Sequence, residues 1–313
     1  MKLLMGVEVT GRRQVTPRVV ALTLRPTKRP AFPAFRGGAH TILALPDGRR
    51  RLYSLTSDPA RPEAWQVAVL REDAGQGGSA WLHAAALPGT RLLASHPQQG
   101  FAQAEDAARH VLVAGGIGIT PFLSMLPGLE RSGADFALHF CARSRAEAPF
   151  LAELQDRLGP RLHPWIAAEG ARLDLAALLA RPAPGTHAYA CGPARMLEGF
   201  VAATAHWPEG TAHLEHFTGL DPEVARQGEA FEVEIASSGA VLPVPADRSL
   251  LEVLREAGHN VDAACEYGAC GSCVVGVEAG QPEHRDVCLS PAARRGVMTA
   301  CVSRGRGRLR LAL

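Results

Sequence analysis

One stretch constrains this 313-residue chain more than any other: Cys265-Glu266-Tyr267-Gly268-Ala269-Cys270-Gly271-Ser272-Cys273. It reads C-x4-C-x2-C, and Cys301 follows after 27 intervening residues. This is the ligand spacing of a [2Fe–2S] cluster. Two bridged irons need four thiolates, most of them from a tightly wrapped loop. Gly268, Ala269, Gly271 and Ser272 are small, so the backbone can approach inorganic sulfur and aim N–H groups at it, which stabilises the negative charge of the reduced state. Zinc more often takes paired C-x2-C knuckles. A disulfide framework belongs to short secreted chains. Cys288 is the other claimant for the fourth place, but it follows the turn-like His284-Arg285-Asp286-Val287. Cys301 instead leads into a terminal strand at 308–311. The expected metal ligands are therefore Cys265, Cys270, Cys273 and Cys301.

The surroundings of the loop have a definite order. Residues 231–236 alternate as a half-exposed strand, and 240–244 can pair with them as a hairpin. Residues 249–258 read as a helix, with Ser249 or Asp247 near its start and Gly258 at its end. Residues 274–280 form the next strand. Strand pair, helix, cluster loop and strand is the order of a β-grasp ferredoxin of the plant type, expected over 229–313. Residues 218–228 read as a linker.

Residues 104–217 alternate strands with helices, which predicts an α/β nucleotide-binding domain. A strand at 109–114 runs into Gly115-Gly116-Ile117-Gly118-Ile119-Thr120-Pro121 and then a helix, a dinucleotide-binding arrangement. Gly115, Gly116 and Gly118 let a pyrophosphate approach the backbone, and Thr120 can cap the helix or bond the cofactor. Residues 111–129 carry no charge, yet their glycines and prolines argue for strand, turn and helix rather than a membrane span. A second strand, 136–141, leads to Arg143, Ser144 and Arg145, where an adenosine ribose would fall. Arg143 or Arg145 can favour a 2′-phosphate, so NADH and NADPH both stay open. A third strand, 186–190, ends in Cys191-Gly192-Pro193 beside the nicotinamide position, with Cys191 a neutral packing residue. His213 and His216 form no metal pattern.

Residues 1–103 are β-rich, with short strands near 7–9, 19–24, 41–45 and 65–70 separated by Pro and Gly clusters, as in a small antiparallel barrel. Inside it, Arg51-Leu52-Tyr53-Ser54 is similar to the flavin motif of the ferredoxin-reductase superfamily. On a strand Arg51 and Tyr53 share one face, Leu52 and Ser54 the other. Arg51 can pair with a flavin phosphate, Tyr53 can lie against the ring, and Ser54 can hydrogen-bond it. Gly77, Gly78 and Ser79 open a short helix and would offer N–H groups to a phosphate. An ordinary turn with Ser79 as the cap is the alternative.

Together these motifs resemble the phthalate dioxygenase reductase and vanillate O-demethylase reductase family along essentially the whole chain. His284-Arg285-Asp286 is a further marker. The resemblance implies FMN, hydride transfer from the nicotinamide coenzyme to it, single-electron transfer to the cluster, and a Rieske-type oxygenase as acceptor. It places Phe217 near the flavin and implies a monomer. Gln76 and Leu70 depart from basic residues frequent in that family, with Arg71 an available substitute. Such chemistry needs no side-chain acid, base or nucleophile, so no catalytic residue is expected. The alternatives are a reductase for a cytochrome P450 or another acceptor, or a redox-sensing flavin/iron–sulfur protein. A net charge of +2 gives no nucleic-acid signal. With no secretory signal, the reading is a cytoplasmic protein without membrane association.

Overall fold

A computed structural model describes residues 4–73, 75, 77–217, 227–289 and 292–313. The chain divides into two compact units, Lys2–Phe217 and Thr218–Leu313. The expected linker at 218–228 lies outside the described residues up to 226. Among the described residues no helix is long and apolar enough to cross a membrane.

The first unit carries two sheets. Strands β1 (Leu4–Thr16), β2 (Val19–Pro26), β3 (His40–Ala44), β4 (Arg50–Ser54), β5 (Trp65–Leu70) and β6 (Arg91–Ser95) are antiparallel, in the order β4-β3-β6-β1-β2-β5. The two end strands meet where Leu55 bridges Val67 and the Thr56 N–H donates to the Gln66 carbonyl at 2.8 Å. That contact closes the sheet into a barrel. The two-residue period places Met5, Val7 and Val9 of β1 and Val20, Leu22 and Leu24 of β2 in its core. Each such burial stabilises by roughly 1.5–3 kcal/mol. Trp65 fills the end of this core, stacked 3.9 Å from Phe32. Helix α1 (Gly78–Ala85) follows β5.

The second sheet is wholly parallel: β7 (Arg109–Gly115), β8 (Asp135–Ala142), β9 (Leu162–Ile166), β10 (Thr186–Cys191) and β11 (Ala212–Glu215), ordered β11-β10-β7-β8-β9. Helices α2 (Thr120–Ser132) and α3 (Leu151–Leu158) cover one face. Helices α4 (Leu175–Leu179) and α5 (Ala194–Thr204) pack on the other. Strand order reverses between β7 and β10, which leaves a crevice at their carboxyl ends. The uncharged run at 111–129 is thus the end of β7, a tight turn and most of α2. Barrel and parallel sheet pack together: the Gly38 N–H donates to Ser124 Oγ at 2.9 Å, and Arg131 grips Asp58 at 2.7 and 3.0 Å.

The second unit is a mixed sheet of β12 (Phe231–Ile235), β13 (Val241–Val244), β14 (Val274–Glu283), β15 (Val297–Thr299) and β16 (Arg304–Ala312), ordered β13-β12-β16-β14-β15. Its parallel pair, β12 with β16, gives the β-grasp topology. Helix α6 (Leu250–Glu256) packs on it through Leu250, Leu251, Val253 and Leu254. Ser249, not Asp247, starts α6: its hydroxyl accepts the Glu252 N–H at 3.2 Å while the Glu252 carboxylate accepts the Ser249 N–H at 2.9 Å. Arg304, 2% exposed, donates to the carbonyls of Glu229, Pro245 and Arg248 and lies 5.1 Å over the Phe231 ring.

Candidate functional site

Strand β4 brings Arg51 and Tyr53 to one face and Ser54 to the other. Tyr53 is half-buried, and burial lifts its phenol above the ordinary range against the pull of Arg51. Ser54 is 5% exposed, and its hydroxyl has no hydrogen-bond partner among the described residues. An enclosed polar atom left unpaired marks a place where a further group fits. Next to this strand the glycine turn is as tight as expected. A Cβ on Gly78 would stand 2.8 Å from Arg51 Nε, and one on Gly77 would stand 2.5 Å from Arg49 Nη1. Gly77 also holds φ at 78°, where side chains are strained. Two guanidiniums therefore lie on the start of α1, whose first N–H groups have no side-chain cap. This donor set suits a phosphate.

Two expectations change here. Ser79 caps nothing, because its hydroxyl accepts the Glu72 N–H at 3.0 Å, so it has only its own N–H to offer. Arg71 is held by Asp73 at 2.6 Å. Arg49, which the sequence reading did not single out, is the second cation at the turn. Its hydrogen bonds hold the Asp47 carboxyl down at about 2. Gln76 lies outside the described residues.

At the crevice between β7 and β10 the glycines have a second purpose. A Cβ on Gly118 would fall 2.2 Å from the Cys191 carbonyl oxygen, and one on Gly115 would fall 2.7 Å from Pro193 Cδ. Gly192 is equally confined: a Cβ on it would stand 3.0 Å from Gly115 Cα. Only glycine lets these two strand ends close together. Gly116, at φ 55°, has open space beside it and is the one free to face a ligand. Thr120 neither caps α2 nor is open to a cofactor: its N–H and its hydroxyl, the latter at 2.9 Å, both donate to the Ile117 carbonyl, and it is 2% exposed.

Cys191 is fully buried, and burial followed by the nearby Glu215 carboxylate pushes its thiol well up, so it is neutral as expected. Glu215 itself was missed. It ends β11 in register with Cys191, its Oε2 is buried without a partner among the described residues, and desolvation lifts the carboxyl to about 8. The available signal was an acid closing an apolar strand just before an aromatic, Phe217. Phe217 is half-buried against the core under α2 and α3. At the end of β8, Arg145 is bound by Glu169 at 2.6 and 3.0 Å. Ser144 Oγ faces Glu147 at 3.5 Å. Arg143 makes no ion pair among the described residues.

In the second unit the four cysteines gather as two pairs. Cys265 contacts Cys270, and Cys273 contacts Cys301. Cys265, Cys273 and Cys301 are buried and Cys270 is half-buried. Contact with Cys265, then with Ser272, lowers the Cys270 thiol. Among the described residues no three His, Cys, Asp or Glu converge on a single ion. Two thiol pairs are what two irons with two protein ligands each require. Left-handed backbone at Glu266 (φ 61°), Gly268 (φ 80°) and Gly271 (φ 66°) curls the loop. Cys288 stands outside both pairs, lifted to about 12 by burial and then by Asp286, and accepts the Gly271 N–H.

Residues 233–305 match the 2Fe-2S iron-sulfur cluster binding domain. The chain is 42% identical to the heme-dependent oxidative N-demethylase beta subunit of Ectopseudomonas mendocina (strain ymp) over 98% of both chains. Its structure is similar to that of phthalate dioxygenase reductase, described as modular for electron transfer from pyridine nucleotides to [2Fe–2S]; the TM-score is 0.77 at 32% identity, over 99% of this chain and 98% of that one. It is also similar to part of an intact type IV self-sufficient cytochrome P450 monooxygenase, with a TM-score of 0.88 and 36% identity over 99% of this chain. The chain spans 41% of that longer protein.

Proposed function

The chain belongs to the phthalate dioxygenase reductase family, and on that premise we propose that it is the reductase component of an oxygenase or demethylase, drawing on NADH, FMN and a [2Fe–2S] cluster. Bound FMN accepts the electron pair of a hydride from NAD(P)H and bound [2Fe–2S] passes electrons singly, which reconciles a two-electron donor with a one-electron acceptor. The observation that carries the reading is that one chain holds three cofactor cradles: the Arg-rich glycine turn beside β4, the crevice between β7 and β10, and the paired thiols.

The chain's own residues have separable tasks. Arg51, with the N–H groups of Gly78 and Ser79, holds the flavin phosphate, and Arg49, tied to Asp47, flanks the same turn. Tyr53 lies along the ring, the unpaired Ser54 hydroxyl bonds it, and Phe217 covers it. Gly116, backed by the close-packed Gly115, Gly118, Cys191, Gly192 and Pro193, admits the coenzyme. Glu215 keeps a proton at its carboxyl up to about pH 8. Arg143 and Ser144 lie at the ribose end. The charge of Arg145 is already met by Glu169, which favours NADH over NADPH. Cys265 and Cys270 take one iron, Cys273 and Cys301 the other.

The acceptor we propose is a Rieske-type oxygenase, reached by a monomeric reductase in the cytoplasm. A haem acceptor is the second reading, favoured by the likeness to a heme-dependent demethylase subunit and to a chain that carries a P450. Mixing the NADH-reduced protein anaerobically with a purified Rieske oxygenase or a haem oxygenase separates the two. Fast appearance of the reduced Rieske EPR signal supports the first reading. Reduction of haem alone supports the second, and reduction of neither contradicts both.

A further inference from the structure

We propose that Asp286 is the positioning residue that holds the two cysteine-bearing segments, 265–273 and the turn around Cys301, at cluster spacing, and that its charge sets how readily the cluster takes an electron. This rests on the cluster reading above. The Asp286 side chain is wholly enclosed, and a buried carboxylate persists only with partners on every side. It has them. Oδ2 accepts the Leu289 N–H at 2.9 Å and lies 3.5 Å from Arg294 Nη2 and 4.0 Å from Cys288 Sγ. Oδ1 accepts the Ser303 hydroxyl at 3.4 Å and faces His284 Nδ1 at 3.4 Å. Arg294 also donates to the Asp286 carbonyl at 2.6 Å.

These bonds reach both ligand segments. Toward the first, the Val287 N–H donates to the Gly268 carbonyl at 3.0 Å, between Cys265 and Cys270. A Cβ on Gly268 would stand 3.1 Å from Asp286 Cα, so the two backbones are in contact. Toward the second, Ser303 closes the turn that carries Cys301. Its N–H donates to the Thr299 carbonyl at 3.2 Å, and its hydroxyl lies 2.9 Å from the Thr299 hydroxyl and accepts the Arg285 N–H at 3.4 Å. The same Ser303 hydroxyl bonds Asp286. Asp286 therefore sits at the junction of the two segments without being a ligand.

Outer groups of this kind commonly change metal retention by about 10–100-fold, and net charge beside a cluster moves its potential. Asp286→Asn keeps the shape and removes the charge, leaving Arg294 uncompensated, so an added electron is easier to accept. The test compares full-length wild type, Asp286→Asn and Asp286→Ala after anaerobic reconstitution. The readouts are iron per chain, iron loss to a chelator, the reduced-cluster EPR spectrum and the cluster midpoint potential. Expected are a raised midpoint and about tenfold faster iron loss for Asp286→Asn, and up to about 100-fold faster loss for Asp286→Ala. Flavin content and melting of the first unit should be unchanged. Should Asp286→Ala fail to fold, the isosteric Asn variant carries the test. Wild-type potential and wild-type iron loss in Asp286→Asn overturn the proposal, and so does faster iron loss at an unchanged potential, which would make Asp286 a packing group only. Wild-type protein that holds no iron at all would instead overturn the cluster reading itself.

Discussion

Replacing Glu215 with Gln should make the first unit more stable, and more so as pH rises. The unfolded carboxyl loses its proton near 4.5, whereas desolvation keeps it protonated in the folded chain up to about 8. Between those values the folded state binds the extra proton, so stability falls with rising pH, by about 1.4 kcal/mol per pH unit. Across the whole window the ceiling is about 5 kcal/mol. Glu215 as a residue is only half-buried although its Oε2 is enclosed, which discounts the figure to about 3–5 kcal/mol. Gln has the same shape and no proton to lose. Below about pH 4 the two proteins should melt together, and at pH 8 the variant should melt higher, by about 2–4 °C per kcal/mol for a unit of this size. Flavin fluorescence released on heating the full-length holoprotein reports the unit concerned. Parallel pH profiles for wild type and Glu215→Gln would refute the burial argument. A variant that became relatively less stable toward pH 8 would reverse its sign.

Two further substitutions test the nucleotide crevice. Gly118→Ala places a methyl 2.2 Å from the Cys191 carbonyl oxygen, so β7 and β10 must part. The expected cost is about 1–3 kcal/mol of stability with a raised KM for NADH; an unchanged melting temperature and KM would contradict the close approach. Glu169→Gln frees Arg145, and one charge-assisted bond to a phosphate, at roughly 1.5 kcal/mol, should raise the NADPH-to-NADH ratio of flavin reduction rates about tenfold. A ratio that does not move would remove Arg145 from coenzyme choice.

The parts of this fold that were legible in sequence are those whose physics is local. The cluster loop declares three ligands within nine residues, and its small residues explain how the chain can wrap. Ser249 and Glu252 form a capping box within one turn. Strands β2 and β5 show β-branched alternation or apolar runs. Strand β9 did not announce itself, because His163 and Pro164 interrupt Leu162-His163-Pro164-Trp165-Ile166. Strand β6 has no β-branched residue, and β11 has only four residues. The site was misread where a side chain's partner is distant in sequence. Arg49 meets Gly77 across 28 positions, and the burial of Glu215 depends on a neighbouring strand. Thr120 was misread for the opposite reason: nearby backbone had already engaged its hydroxyl.

The most direct test of the central claim is anaerobic stopped-flow absorbance of the reconstituted full-length protein mixed with NADH. The account predicts loss of flavin absorbance first, then bleaching of the iron–sulfur bands in the same protein, with NADPH slower. Flavin reduction with a cluster that stays oxidised would break the relay between the two centres. A flavin that neither coenzyme reduces would contradict the proposed function outright.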